Sequence, residues 1–396
     1  MNRMRARLMA LTLALAPGVA YAQATPVVVG AAVSQTGQLA DLAAGYRKGL
    51  LLWQDHINAS GGLLGRRVEL KLLDDHSEAS TAGELYARLI SDHGADLLIG
   101  PFGSAASRGA AAAAERAHRV LINATGAARS VRRAGHRYVF QLAEPYGAYG
   151  ENVLGLARRV GYRRLFILAR DDPASQEMAE GAVEDATRQG LDAGAGAQVY
   201  GPGTSDFAPL VEMAKAARAE AWIAFCTALD AAEMVKTFKR LNYTPRLFVA
   251  QGAADPRFIT LVGQDAEQAI GLTAYQASFP TSGNAYFAKA FEARWSSAPG
   301  LAAAEGYAAG QLLAEAVRRA GTLDQEKLRE TLAALHTETV LGGYKLDPGS
   351  GEQIGARPAL VQILKGRREV VWPDALATAL WKLPYPRWQD RTILQE

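Results

Sequence analysis

Short apolar runs alternate with longer stretches whose apolar residues recur at helical spacing. Pro26 to Val33 (PVVVGAAV) has no polar face, as expected of a strand buried on both sides of a parallel sheet. After the polar turn Ser34-Gln35-Thr36-Gly37, Tyr46, Leu50, Trp53 and Ile57 mark one face of a helix over 42–59, which Gly61-Gly62 ends. The pattern continues with a strand at 67–73, a helix at 80–93, a strand at 95–99, an Ala-rich helix at 104–117 and a strand at 120–123. It then restarts: strand 164–169, helix 175–190, strand 198–200, helix 207–218, strand 221–225, helix 231–241 and strand 246–250. LYARLISDHGADLLIGPFGS and LVEMAKAARAEAWIAFCTAL share one helix–turn–strand order.

Strands separated by helices of this length form βαβ units, and two successive sets predict an α/β protein of two similar doubly wound parallel-sheet lobes. Beyond about Gly271 the pattern weakens to helices at 285–296, 302–320 and 324–335 and a hairpin of 357–364 with 369–372. The prolines of Leu383-Pro384-Tyr385-Pro386 exclude a regular helix there, and this tail is expected to pack along the second lobe.

The 396 residues suffice for two or three domains. With 49% hydrophobic and 21% charged residues the chain can bury a large core. A net charge of +3 does not suggest a nucleic-acid binder. The one cysteine, Cys226, excludes an internal disulfide and a CxxC metal site, and is expected to be buried. Residues 1–22 read as a cleaved signal peptide: Arg3, Arg5 and Arg7, then apolar Leu8 to Ala16, then Ala20-Tyr21-Ala22. The apolar stretch is about half of the ~20 residues a membrane span needs. The expectation is export to a bacterial periplasm as a soluble protein.

Ligands of open α/β sheets bind beyond the carboxyl ends of the strands, where helix N-termini offer unpaired N–H groups. Gly100-Pro101-Phe102-Gly103-Ser104 is such a place and suits a carboxylate, although Ser104 could equally be a plain N-cap. Asn123-Ala124-Thr125-Gly126-Ala127 has the same character. No HExxH, GxSxG or Walker loop is present, Ser104 has no identifiable base, and Asp74-Asp75-His76 reads as a solvated loop, so no enzyme and no metal or cofactor is expected.

Thr36-Gly37, the IN-x-x-GG of 57–62, the G-x-x-V-E-L-x-x-x-D-D of 65–75, the IGP-x-x-S of 99–104, QGAADPRF and VVWP stand in an order that resembles the type I periplasmic solute-binding proteins of ABC transporters, in the branched-chain amino acid and amide group. The similarity runs from Pro26 to Trp372. It implies a three-stranded hinge, with crossings near 143–145, 273–277 and 351–356. One lobe would comprise 23–144 and 275–353, the other 145–274 and 354–396. It also implies a small-molecule ligand, a membrane permease as partner, and a monomer. An alternative is a ligand-sensing receptor subunit of the same fold.

The resemblance carries site roles onto Ser104 for a ligand carboxylate and onto Thr125 and Ala127 in the second turn. On the other lobe it points to Ser175 where the family has a tyrosine, Thr227 or Ala228 where it has an aromatic, and Gln251 where it has the acid that pairs with an ammonium. Phe102 joins this set; Tyr46, Tyr146 and Tyr275 are aromatics of either cleft or core. Gln251 brings no charge. The departures favour a carboxylate or amide ligand without a free ammonium, such as an aromatic acid, keto acid or amide, unless Asp230 replaces the missing acid.

Overall fold

The computed structural model of the chain describes residues 25–131 and 136–395. The segment 1–22, expected from the sequence to be a signal peptide, lies outside the described residues.

Eight elements open the chain: β1 (Val27–Ala32), α1 (Ala40–Ala59), β2 (Val68–Leu73), α2 (Ala82–Ser91), β3 (Leu97–Ile99), α3 (Ser104–Ala117), β4 (Leu121–Asn123) and β5 (Val139–Gln141). Their strands form a parallel sheet in the order β2-β1-β3-β4-β5. Next come α4 (Glu151–Arg159), β6 (Leu165–Arg170), α5 (Pro173–Arg188), β7 (Gln198–Tyr200), α6 (Ala208–Ala216), β8 (Ala221–Phe225), α7 (Ala228–Arg240), β9 (Leu247–Ala250), α8 (Pro256–Val262) and β10 (Ile270–Thr273). These strands repeat the order as β7-β6-β8-β9-β10, again parallel. The two sequence segments that share one pattern are thus α2–β3 and α6–β8, at equivalent places in the two sheets.

The chain then returns to the first lobe with α9 (Asn284–Trp295), α10 (Leu301–Ala320), α11 (Gln325–Ala334) and the short antiparallel pair β11 (Thr337–Thr339) and β12 (Gly342–Tyr344). Finally β13 (Ala359–Leu364), antiparallel to β10, and β14 (Arg367–Trp372), antiparallel to β13, extend the second sheet. Between β5 and α4, between β10 and α9, and between β12 and β13 the chain passes from one lobe to the other.

Residues of alternate parity on each central strand feed opposite cores, as a pleated strand requires. Val27, Val29 and Ala31 pack with α1 and α10, whereas Ala32 packs with α2 and α3. In the second lobe Leu165, Ile167 and Ala169 face α4 and α5, and Phe166 and Leu168 face α6 and α7. Both sheets are therefore covered on both faces, which explains strands without a polar side. The tail behaves as expected: Tyr385 N donates to Arg246 O at 2.9 Å, its ring lies tilted against that of Phe248, and Trp388 Nε1 donates to Tyr243 O at 2.7 Å.

The first lobe is closed by α10 lying on α1. A Cβ at Gly306 would stand 2.3 Å from the Tyr46 carbonyl oxygen, and one at Gly49 2.0 Å from that of Ala303. Two helix backbones touch here with nothing between them. Gly306→Ala is expected to lower stability by about 1–3 kcal/mol, the usual cost of overpacking. Gly201→Ala, in open space, should change it by less than about 0.5 kcal/mol. Urea unfolding of the two variants checks this.

Candidate functional site

Between the lobes lies a cavity of about 330 Å³, within the range of small-molecule sites. Its wall comes from turns at the carboxyl ends of strands of both sheets. Thr125 and Ala127 follow β4, Ala143, Glu144, Tyr146 and Tyr149 follow β5, and Ala174, Ser175 and Met178 open α5. Cys226 and Thr227 follow β8, Gln251 follows β9, Ala274 follows β10, and Leu301 and Glu305 come from α10. A wider groove of about 610 Å³ beside α1 and α10 belongs to the first lobe alone and gathers none of the turns at the carboxyl ends of its parallel strands.

Of the residues expected at a site, Thr125, Ala127, Ser175, Thr227 and Gln251 come together in this wall. Ser104 stands one hydrogen bond behind it, its hydroxyl bonded to Tyr146 and accepting from Ala128 N at 3.2 Å. Ser104 is the first helical residue and not the N-cap; that place belongs to Gly103, whose φ of 86° suits glycine. Phe102 is not in the wall; its ring packs 6.1 Å from that of Tyr46. Tyr46 and Tyr275 are core residues, donating to Gly100 O at 2.8 Å and to Asn284 Oδ1 at 2.9 Å. Tyr146 lines the cavity.

Several hydroxyls are already engaged. Thr125 Oγ1 donates to Pro101 O and accepts from Gly103 N, both at 2.8 Å, so it clamps two turns together. Ser175 Oγ donates to Asp172 Oδ2 at 2.9 Å. Thr227 and Asp230 form a capping box, with Thr227 Oγ1 2.8 Å from Asp230 Oδ2. Asp230 also lies 3.6 Å from Arg170 Nε. It is a buried structural acid absent from the cavity wall, so it does not replace the acid missing at Gln251.

The helix ends differ in consequence. Asp172 caps α5 and Thr227 caps α7, while no side chain caps α3. The N-terminal N–H groups of α3 thus keep their partial positive charge near the cavity. Cys226 is buried, as expected, and burial pushes its thiol up to about 12, so it is a protonated, unreactive wall residue. Asp74 accepts from Gln35 N, Thr36 Oγ1 and His76 N, binding two exposed turns together. Among the described residues no group of three His, Cys, Asp or Glu side chains is placed to hold a metal.

Sequence reasoning passes over two wall residues, Glu144 and Glu305. Each is an acid inside an otherwise apolar stretch (LAEPYGAYG and LAAAEGYAAG), a signal that was available. Glu144 is 8% exposed and its Oε2 has no hydrogen-bond partner among the described residues. Burial pushes its carboxyl from 4.5 up to about 8, with Arg357 opposing and Glu151 adding to the rise. Burial, then the neighbouring Glu144, holds Glu305 well above the carboxylate range.

The family model described as "Periplasmic binding protein" matches residues 26–367. A leucine-, isoleucine-, valine-, threonine- and alanine-binding protein of Pseudomonas aeruginosa is 23% identical over 339 residues, 85% of this chain and 90% of that one. An ABC transporter substrate-binding protein of Desulfitobacterium hafniense in complex with Leu superimposes with a TM-score of 0.72 at 23% identity, covering 87% of this chain and 99% of its own. A solute-binding protein of R. palustris in complex with benzoate gives 0.67 at 21% identity, covering 91% and 97%. Among the described residues no helix is long and apolar enough to cross a membrane.

A carboxyl that is protonated in the folded state and ionised in the unfolded one makes the folded state bind more protons. Stability then falls as pH rises between the two pKa values. The solute-free protein is expected to lose stability steadily from about pH 4.5 to about pH 8, and Glu144→Gln should flatten that slope. Melting temperatures across the pH range check it.

Proposed function

The chain belongs to the periplasmic binding protein family, and from that membership we propose that it is the solute-capturing component of an ABC importer. In this reading it is exported by residues 1–22 and delivers a small carboxylate-bearing solute of amino-acid size to a membrane permease. The observation that carries the reading is the cavity walled by strand-end turns of both lobes. A solute held there contacts both halves at once, so binding favours the closed arrangement. The moving bodies would be 23–144 with 275–353 and 145–274 with 354–396.

The uncapped N-terminus of α3 behind Ser104 is the proposed seat of the carboxylate. The backbone of Thr125 and Ala127, the Ser175 hydroxyl as an acceptor (its proton being given to Asp172) and the amide of Gln251 complete the polar wall. Thr227 contributes through its backbone, its hydroxyl being held by Asp230. Phe102 supports the turn from behind. The amino-acid binders among the relatives favour a solute of that class, and the benzoate complex favours an aromatic acid. The chemistry shared by both is a carboxylate.

A second contact across the cleft bears on closure. Arg129, after β4, donates from its backbone N to Glu177 Oε1 at 2.8 Å and from Nη2 to Glu184 Oε2 at 2.9 Å, both on α5. The side-chain pair is half exposed, 49% and 59%, so Arg129→Ala should weaken solute affinity by no more than about fivefold.

Thermal-shift screening of amino acids, keto acids, aromatic acids and amides tests the reading. A binder at 100 times its Kd should stabilise the refolded protein by about 2.7 kcal/mol, and solution scattering should show compaction on its addition. A protein that binds no member of the panel, or turns the solute over, is not such a receptor. Loss of solute uptake on deletion of the gene supports transport, whereas loss of solute-induced signalling alone favours a sensor.

A further inference from the structure

We propose that the solute carries a primary ammonium, and that this group seats against the Glu144 and Glu305 carboxyls at the hinge end of the cleft. The inference rests on the cleft being the solute site and names the chemistry that site selects. Amino-group recognition then resides on the hinge and on α10, and not at Gln251.

Glu144 stands in the first crossing and Glu305 on α10, and both line the cavity. Both also border a small void among the three crossings, beside Ala274, Gln353 and Ala356. The Glu144 side chain is more than nine-tenths buried with Oε2 unpartnered among the described residues. A buried acceptor left unpaired is costly, and folded proteins rarely keep one without a use. The charged and titratable neighbours do not satisfy it. Arg357 is committed to Glu151 Oε2 at 2.7 Å and to the carbonyls of Gln353 and Ala356, each at 2.8 Å. Tyr146 and Tyr149, the nearby phenols, are held neutral by burial.

An ammonium brings the missing positive charge and three donors to two acceptor-rich groups. A 2-oxo acid of the same skeleton brings neither. The placement also gives the solute two poles, with its carboxylate toward the α3 N-terminus and its amino group toward the hinge. Because burial favours the protonated form of Glu144 in the empty cleft, seating a cation beside it favours ionisation and releases a proton to the buffer.

The test uses the full mature chain, unfolded and refolded to remove bound solute, with the proteinogenic amino acids and their matched 2-oxo acids as probes. The expected result is an amino acid bound at least tenfold more tightly than its 2-oxo partner. Glu144→Gln and Glu305→Gln should each weaken that amino acid at least tenfold and reduce its advantage over the 2-oxo acid. Calorimetry of the unaltered protein at pH 7 in buffers of different ionisation enthalpy should show proton release, a readout that needs no variant to fold. The inference is overturned if the 2-oxo acid or another acid without an amino group is the tighter ligand. It is equally overturned if an amino acid binds without proton release and both variants keep its affinity. These outcomes leave the receptor reading standing, whereas no binding by any probe of this panel or of the screen above removes both.

Discussion

Two parallel sheets present their carboxyl edges to one shared gap, and this constraint organises everything else. A parallel sheet places every strand-to-helix turn on the same edge, so ten strands deliver their turns to two facing rims. Three passages of chain between the lobes keep those rims opposed. Small, polar and glycine-bearing turns are thereby concentrated where a solute can touch them, while the β-branched strands behind stay covered on both faces. The antiparallel β13–β14 pair widens the second sheet beyond β10, on the side away from its repeat, without adding a turn to the rim.

The cavity is electrically uneven. Asp172 and Thr227 quench the N-termini of α5 and α7 from within the second lobe, and Asp230 is neutralised by Arg170. The first lobe keeps the uncapped end of α3, and the hinge end keeps Glu305 and a Glu144 whose Oε2 has no hydrogen-bond partner among the described residues. Positive potential on one side and acceptors on the other are the arrangement from which the proposal of a dipolar solute is argued. Where Gln251 stands in place of an acid, the acids that the cavity wall does hold are Glu144 and Glu305.

Much of the fold was legible because its strands are covered on both faces and its helices are long. The helix 104–117 and the strands 198–200 and 221–225 coincide with α3, β7 and β8. The segments passed over are short or interrupted. β5 has three residues, α4 begins amid the glycines of YGAYG, α8 is seven residues opened by Pro256, and β10 contains Gly271. Periodicity needs more turns than these provide. At the site, strand-end position pointed to the turn that holds Thr125 and Ala127, whereas Ser175, Thr227 and Gln251 were reached only through the family resemblance; all five stand in one wall. What each side chain does there was less legible. The TALD spacing of a capping box explains why Thr227 and Asp230 face each other. Glu144 and Glu305, far apart in the chain, meet only through the crossing.

The backbone contact of α1 with α10 sets an order of assembly. The second lobe's parallel strands and their helices run without interruption from 151 to 273, so that part can condense before β13, β14 and the tail are added to it. The amino-terminal half cannot. Its α1 waits exposed until Gly306 emerges some 250 residues later, a loop whose closure is entropically costly. A chain that emerges amino end first therefore forms the parallel part of its second lobe before its first lobe can close, and the unsheathed α1 is the surface that a holdase would have to guard in the interval.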